Sequence, residues 1–180
     1  MWRRRPGRCL DHAGLRLSNP IRPDVVNPDR HVTIRQARQG EADLAAGVII
    51  AARRAAVPAI PPLVHTESEV RAWFDQVVMA SQEVWVAEVD SMIRGVLVLA
   101  PGWVEQLYVD PDWTGRGLGA ALLRHAQDRA PGPLELWTFA ANLGAKRFYR
   151  RHGFVEVGRT DGVNEEGAPD IRYRWSSPDA

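Results

Sequence analysis

The chain has 180 residues, 45% of them hydrophobic and 25% charged, the size and balance of one globular domain with its own core. Its apolar runs, Val96 to Ala100 among the longest, fall far short of the roughly 20 residues of a membrane-spanning helix, and its only cysteine, Cys9, excludes an intrachain disulfide or a cysteine zinc cluster and fits a reducing, cytoplasmic home. The net charge of +1 splits into +4 over residues 1–31 and −3 over the remainder, so the folded part lacks the basic footprint that nucleic-acid binding requires.

Met1-Trp2-Arg3-Arg4-Arg5 looks like the start of a secretory leader, but Pro6, Gly7, Arg8, Asp11 and His12 follow where an apolar stretch belongs. Pro6, Pro20, Pro23 and Pro28, with few clustered apolar residues, instead describe residues 1–31 as a disordered tail or an over-extended start, and residues 32–180 as a single domain. Val32-Thr33-Ile34-Arg35 alternates as a half-buried strand does, and an Ala-rich run to about Val57 reads as a helix. Pro58, Pro61 and Pro62 end it. Thr66-Glu67-Ser68-Glu69 has the form of a capping box opening a second helix to about Ala80. Glu83–Val89 and Met92–Leu99 form an expected hairpin across Asp90-Ser91, and Trp103–Val109 a third strand. The period then changes to 3.6, with Leu118, Leu122, Leu123 and Ala126 as the stripe of a helix from about Gly117 to Ala130. Leu134–Thr138 reads as a strand, Asn142–Arg151 as a short helix, Phe154–Gly158 and Ile171–Trp175 as strands. The order is α/β with a mixed sheet of about seven strands and flanking helices.

The segment from Leu107 to Ala120 runs from a strand through Thr114-Gly115-Arg116-Gly117-Leu118-Gly119-Ala120 into a helix start. Glycines there admit a ligand to the backbone, and the free N–H groups of a helix N-terminus suit phosphate oxygens, with Arg116 as a further charge. The alternative is a tight connection and nothing more. A Walker A loop fails because Ala120-Ala121 stands where Lys-Ser/Thr should follow. The Rossmann pattern GxGxxG/A is literally met, but Glu135 begins the next strand instead of ending it, and an antiparallel hairpin precedes the loop. An oxidoreductase on a dinucleotide fold is therefore disfavoured.

The same segment resembles the acyl-CoA loop of the GNAT superfamily, Gln/Arg-x-x-Gly-x-Gly/Ala, with Thr114 departing at the first position. A second motif, Asn142-Leu143-Gly144-Ala145-Lys146-Arg147-Phe148-Tyr149-Arg150-Arg151-His152-Gly153-Phe154, resembles the family's Asn-x-x-Ala-x-x-Phe-Tyr-x-x-x-Gly-Phe at every named position. Residues 165–170 also resemble the corresponding stretch of many bacterial members. The resemblance covers about residues 32–175, and its specific part is 103–154.

It implies a GNAT-type, mostly antiparallel sheet and transfer of an acetyl group from acetyl-CoA, as co-substrate and without a metal, to a primary amine of a small molecule or peptide. It places the pyrophosphate on the backbone of residues 115–120, the acetyl-pantetheine arm along the main chain of Leu107, Tyr108 and Val109, and Val109 N–H at the thioester carbonyl. Tyr149 matches the residue at the CoA sulfur. With reference pKa values near ~10 for Tyr and ~8.5 for a thiol, Tyr149 is first a hydrogen-bond donor to that sulfur and only second an acid; its alternative is a core aromatic. Asn142 fits a contact to pantetheine or a helix N-cap. Glu105, an acid in an apolar strand, is the base candidate, directly or through water, against a surface glutamate as the alternative. His65, His125 and His152 are expected on surfaces. Trp73, Trp85, Trp103, Trp113 and Trp137 are expected mostly in the core, with a substrate-facing wall among them an option. Acceptor selection is expected near Pro58–His65 and Trp103. The rival reading is an acyl-CoA sensor or partner module on the same fold; monomer and homodimer both remain open.

Overall fold

The computed structural model describes residues 32–177; the basic leader lies outside them. Strand β1 (Val32–Gln36) is followed by α1 (Ala42–Ala55), α2 (Glu67–Trp73), a π-helical turn (Phe74–Val78) and α3 (Met79–Ser81). Next come β2 (Glu83–Val89), β3 (Met92–Ala100), β4 (Trp103–Val109), α4 (Leu118–Arg129), β5 (Leu134–Phe139), α5 (Leu143–Arg151), β6 (Val155–Thr160) and β7 (Asp170–Trp175). The strands form one sheet in the order β1-β2-β3-β4-β5-β7-β6, antiparallel except where β4 meets β5. This is the seven-stranded mixed sheet with flanking helices that the sequence implies.

Local chemistry accounts for the boundaries. Thr66 caps α2, its side chain accepting from Glu69 N–H while Glu69 accepts from Thr66 N–H, so the expected capping box forms. Asp90 and Ser91 both take positive φ, 51° and 61°, the conformation a two-residue hairpin turn needs. Expected as one helix, residues 67–81 instead contain the π turn, which buries Phe74 and Val78. Strand β6 starts at Val155 because Phe154 N–H still donates to Tyr149 C=O at 3.0 Å.

Helices α4 and α5 cover one face of the sheet, with Leu118, Leu122, Leu123, Phe148 and Tyr149 packed on Leu97, Val104, Leu107 and Leu136. On the other face, α1 and the π turn bring Ala45, Ile49, Phe74 and Val78 onto Val84, Val96, Val98, Tyr108 and Phe139. Gly95 lets α4 approach: a Cβ there would sit 2.8 Å from Leu122 Cδ1. The buried aromatic residues of the core include Phe74, Tyr108, Phe139, Phe148, Tyr149, Phe154 and Tyr173. The five tryptophans expected mostly in the core are half-buried, because an indole is large and seldom fully enclosed. No helix among the described residues is long and apolar enough to cross a membrane.

Candidate active site

The one parallel junction of the sheet is also its weakest seam. Strands β4 and β5 share a single register pair, Trp103 with Glu135, with Glu135 N–H donating to Gly102 C=O at 2.8 Å. By contrast β5 stays with β7 through all six of its residues, from Leu134 with Trp175 to Phe139 with Asp170, while β4 stays with β3. In β4 the register jumps from Val104 opposite Leu99 to Gln106 opposite Val98, which leaves Glu105 as the extra residue of a bulge. A bulge bends its strand, so the two strands part toward their C-terminal ends and leave a cleft. The bulge also turns Val104 and Leu107, three residues apart, onto the same face.

Strand hydrogen bonding fixes which main-chain groups face that cleft. Asp110 N–H donates to Arg94 C=O of β3 at 2.8 Å. Alternate residues of a strand direct their N–H and C=O to opposite neighbours. Tyr108 therefore spends its main chain on β3, and Leu107 and Val109 direct theirs toward the side β5 has left. Of the three residues expected to line the arm, two have this orientation.

The turn after β4 is tightly organised. Asp110 accepts from Asp112 N–H at 3.0 Å and from Arg94 Nη1 at 2.7 Å. Thr114 Oγ1 donates to Pro111 C=O at 2.9 Å, so this side chain braces the turn. Gly115 and Gly117 have φ of 72° and 83°, in the left-handed region. Leu118 and Ala120 are buried and anchor the first turn of α4. That helix start has no side-chain cap, whereas Thr66 caps α2 and Asn142 caps α5. The first-turn N–H groups of Leu118, Gly119 and Ala120 have no acceptor inside the helix, and the macrodipole adds partial positive charge beside them. Arg116 is exposed, its guanidinium 4.8 Å from the Trp113 ring centroid, with Arg94 at 5.5 Å from the same ring.

The other expected residues divide. Asn142 is buried and its side-chain oxygen accepts from Ala145 N–H at 3.0 Å, the N-cap role. Tyr149 is fully buried among Phe148, Phe154 and Tyr173, with ring centroids 5.3, 5.7 and 6.2 Å away. It belongs to the same cluster as Leu107, Val109, Leu118 and Ala120, so α5 brings it to the face of the cleft where α4 begins. Glu105 is half-buried and lies four residues back along β4 from Val109, about 13 Å at the usual strand rise. It is therefore well separated from the turn.

All three histidines expected on surfaces, His65, His125 and His152, are half-buried instead. His125 packs 4.2 Å from the Trp85 ring, and burial lowers its pKa. His152 lies 4.4 Å from Phe148, with Nδ1 2.8 Å from that residue's carbonyl oxygen. Both sit one helical turn from a residue that packs inward, which a scan for isolated histidines does not register. Glu135, weighed as a ribose ligand, is tied to Arg172 at 3.6 Å and to Arg174. A buried pair that the sequence reading missed joins Arg53 Nη2 to Glu166 Oε1 at 3.1 Å. The partners are 113 residues apart, and no local spacing signals them. Among the described residues no group of three or more His, Cys, Asp or Glu side chains is arranged to hold a metal ion.

Comparison with known proteins bears on the same region. Residues 80–156 match the family model of the acetyltransferase (GNAT) domain. The peptidyl-lysine N-acetyltransferase YjaB of Salmonella typhimurium is 36% identical over 86 residues, 47% of this chain and 58% of that protein. An uncharacterised N-acetyltransferase of Methanocaldococcus jannaschii is 42% identical over 57 residues, 29% of this chain and 25% of the other. The chain thus spans between a quarter and three fifths of the length of these relatives. The solution structure of apo YjaB from Escherichia coli superposes with a TM-score of 0.67 at 22% identity, covering 81% of this chain and 97% of that one. The PaiA N-acetyltransferase of Thermoplasma acidophilum in complex with coenzyme A gives a TM-score of 0.63 at 15% identity, covering 82% and 99%. At these identities the superpositions concern the fold.

Proposed function

We propose that this chain, whose residues 80–156 match the GNAT acetyltransferase domain, is a member of that family and moves the acetyl group of acetyl-CoA to a primary amine on a small molecule or peptide. One observation carries the reading: β4 and β5 part after a single pair, and the uncapped start of α4, with its two left-handed glycines, stands where β4 ends. That combination offers a slot for a long, thin arm and a cradle for its phosphates in register along one strand.

The residues present fit the co-substrate. The backbone of residues 115–120 holds the pyrophosphate at the helix start, as anions are generally held there, with Arg116 near enough to add a charge-assisted contact. Thr114 acts through the turn. Leu107 and Val109 offer main-chain groups to the pantetheine amides and the thioester carbonyl. A donor at Val109 N–H acts where charge develops on that carbonyl oxygen, which is where preorganised donors accelerate acyl transfer. Acetyl-CoA, when bound, supplies the activated acyl group.

The chain's remaining work is to manage protons. An amine with a pKa near ~10 is protonated at neutral pH, and a carboxylate near ~4.3 takes that proton only with help. Glu105 is well placed to act at a distance, through a relay of water toward solvent. Tyr149, in its aromatic enclosure, donates a hydrogen bond to the departing sulfur. Asn142 contributes by starting α5 at the position that presents Tyr149. In this reading the activity resides in residues 32–180.

Calorimetric titration with acetyl-CoA, CoA and NAD, followed by thiol release with a panel of amines, tests the proposal. The panel should contain a doubly blocked lysine tripeptide, since YjaB of Salmonella typhimurium is a peptidyl-lysine N-acetyltransferase. Saturable acetyl-CoA binding with amine-dependent thiol release is expected. Binding without turnover across the panel would favour the acyl-CoA sensor, and no CoA binding would end both readings.

A further inference from the structure

Two guanidinium groups share the Trp113 ring, and only one of them is committed elsewhere. Arg94 of β3, its guanidinium carbon 5.5 Å from the ring centroid, is paired with Asp110, Nη1 to Oδ2 at 2.7 Å. Arg116, at 4.8 Å from the same centroid, is exposed. Among the described residues it takes part in no ion pair and no side-chain hydrogen bond, so its donors are available to a ligand.

The ring is fixed in place. Trp113 is half-buried and packs against the core cluster that contains Val109, Leu118 and Leu122, and its main-chain N–H donates to Asp110 C=O at 2.8 Å. Only Thr114 and Gly115 separate it from Arg116, and both are constrained. Thr114 Oγ1 donates to Pro111 C=O at 2.9 Å, and Gly115 takes φ of 72°. A Cβ at Gly115 would meet no atom within 4 Å, so the glycine serves the backbone conformation and the space beside the turn is open. An arginine that grips an anion from solvent gives up much of its rotamer freedom. A guanidinium held against an aromatic ring has given up part of it in advance and still has its N–H donors for the anion.

We propose that Trp113 is a positioning residue for the co-substrate: it holds the Arg116 side chain at the turn of residues 115–120, so that the guanidinium meets the pyrophosphate already in place. Arg116 makes the contact, and Trp113 acts through it. The Arg94–Asp110 pair supports the indole and touches no phosphate. The inference rests on the reading above that this turn binds the pyrophosphate of acetyl-CoA.

Calorimetric titration of the full chain with acetyl-CoA tests it and needs no acceptor. Arg116→Gln should raise the Kd about tenfold or more, the worth of a charged hydrogen bond. Trp113→Leu should raise it about two- to fivefold, the worth of an exposed cation–π contact, and Trp113→Phe, which keeps an aromatic face, by less. In the Arg116→Gln background both Trp113 substitutions should add nothing, because the ring then has no cation to place. Acetyl-dephospho-CoA keeps the pyrophosphate and lacks the 3′-phosphate, and it should show the same losses. A Trp113 effect that persists without Arg116 would reduce the ring to a structural part of the turn and overturn the proposal. An unchanged Kd in Arg116→Gln, or in a folded Trp113→Leu, overturns it too, as do losses that vanish with acetyl-dephospho-CoA. Should Trp113→Leu fail to fold, Trp113→Phe with and without Arg116→Gln completes the same cycle. Wild-type protein that binds no acetyl-CoA would instead sink the transferase reading, and this inference with it.

Discussion

Glu41→Gln should destabilise the protein near neutral pH and have almost no effect in acid. Glu41 immediately precedes α1 and takes a two-pronged contact from Arg35 of β1, at 2.8 Å to each oxygen. Arg38 N–H adds a third at 2.7 Å, and Arg35 Nε also reaches Glu88 of β2 at 2.9 Å. The Arg35 hydrogen bond is the main reason the Glu41 carboxyl falls from its ordinary 4.5 to about 2. Taken at face value, at 1.36 kcal/mol per pKa unit, the shift corresponds to about 3 kcal/mol. The side chains are 18% and 16% exposed, so solvent screening reduces this to about 1–2 kcal/mol.

The sign follows from linkage. The folded pKa is depressed, so the contribution is complete above the unfolded value of about 4.5 and is lost as pH falls toward about 2. Urea unfolding of wild type and Glu41→Gln at steps from pH 7 to pH 2.5 measures the gap. It should stand at about 1–2 kcal/mol at pH 7 and close progressively below pH 4.5. A gap that stays constant over this range would show that Gln fails for steric reasons and would refute the electrostatic account.

Gly117→Glu places a side chain at φ of 83° and a negative charge at the proposed phosphate cradle; it should abolish acetyl-CoA binding by calorimetry, and an unchanged Kd would remove the loop assignment. Tyr149→Phe keeps the ring packing, so turnover should fall while acetyl-CoA affinity holds; equal loss of both, or of neither, would argue against a role at the sulfur. Gly95→Ala should cost about 1–3 kcal/mol in urea unfolding, because α4 must move off β3 or Leu122 must change rotamer. If α4 moves, acetyl-CoA affinity should weaken along with stability. Deletion of residues 1–30 should leave both stability and acetyl-CoA binding intact, and a large loss of stability would refute the reading of residues 1–31 as a tail.

The sequence alone determined the elements and the two motifs. Turn residues, alternation and the change of period at Gly117 are local signals, set by backbone conformation and by which face of each element is apolar, and they placed β2 and β4 to the residue. The glycine turn proposed to hold the pyrophosphate was legible as a turn for the same reason: its glycines, the strand before it and the helix after it are contiguous. Asn142 could be read as an N-cap because capping is also local.

Tertiary structure decided everything that depends on which strands lie side by side. The cleft exists because β5 pairs with β7 while a bulge at Glu105 turns β4 away, and no stretch of sequence encodes that separation by itself. The same parting gives Leu107 and Val109 main-chain groups the orientation that Tyr108 lacks. Arg53 and Glu166 became visible only as a pair, since each alone reads as a solvated charge on a helix end or a loop. Burial of an ion across 113 residues is a property of the packed chain, decided by the whole fold bringing α1 and the β6–β7 loop to one end of β5.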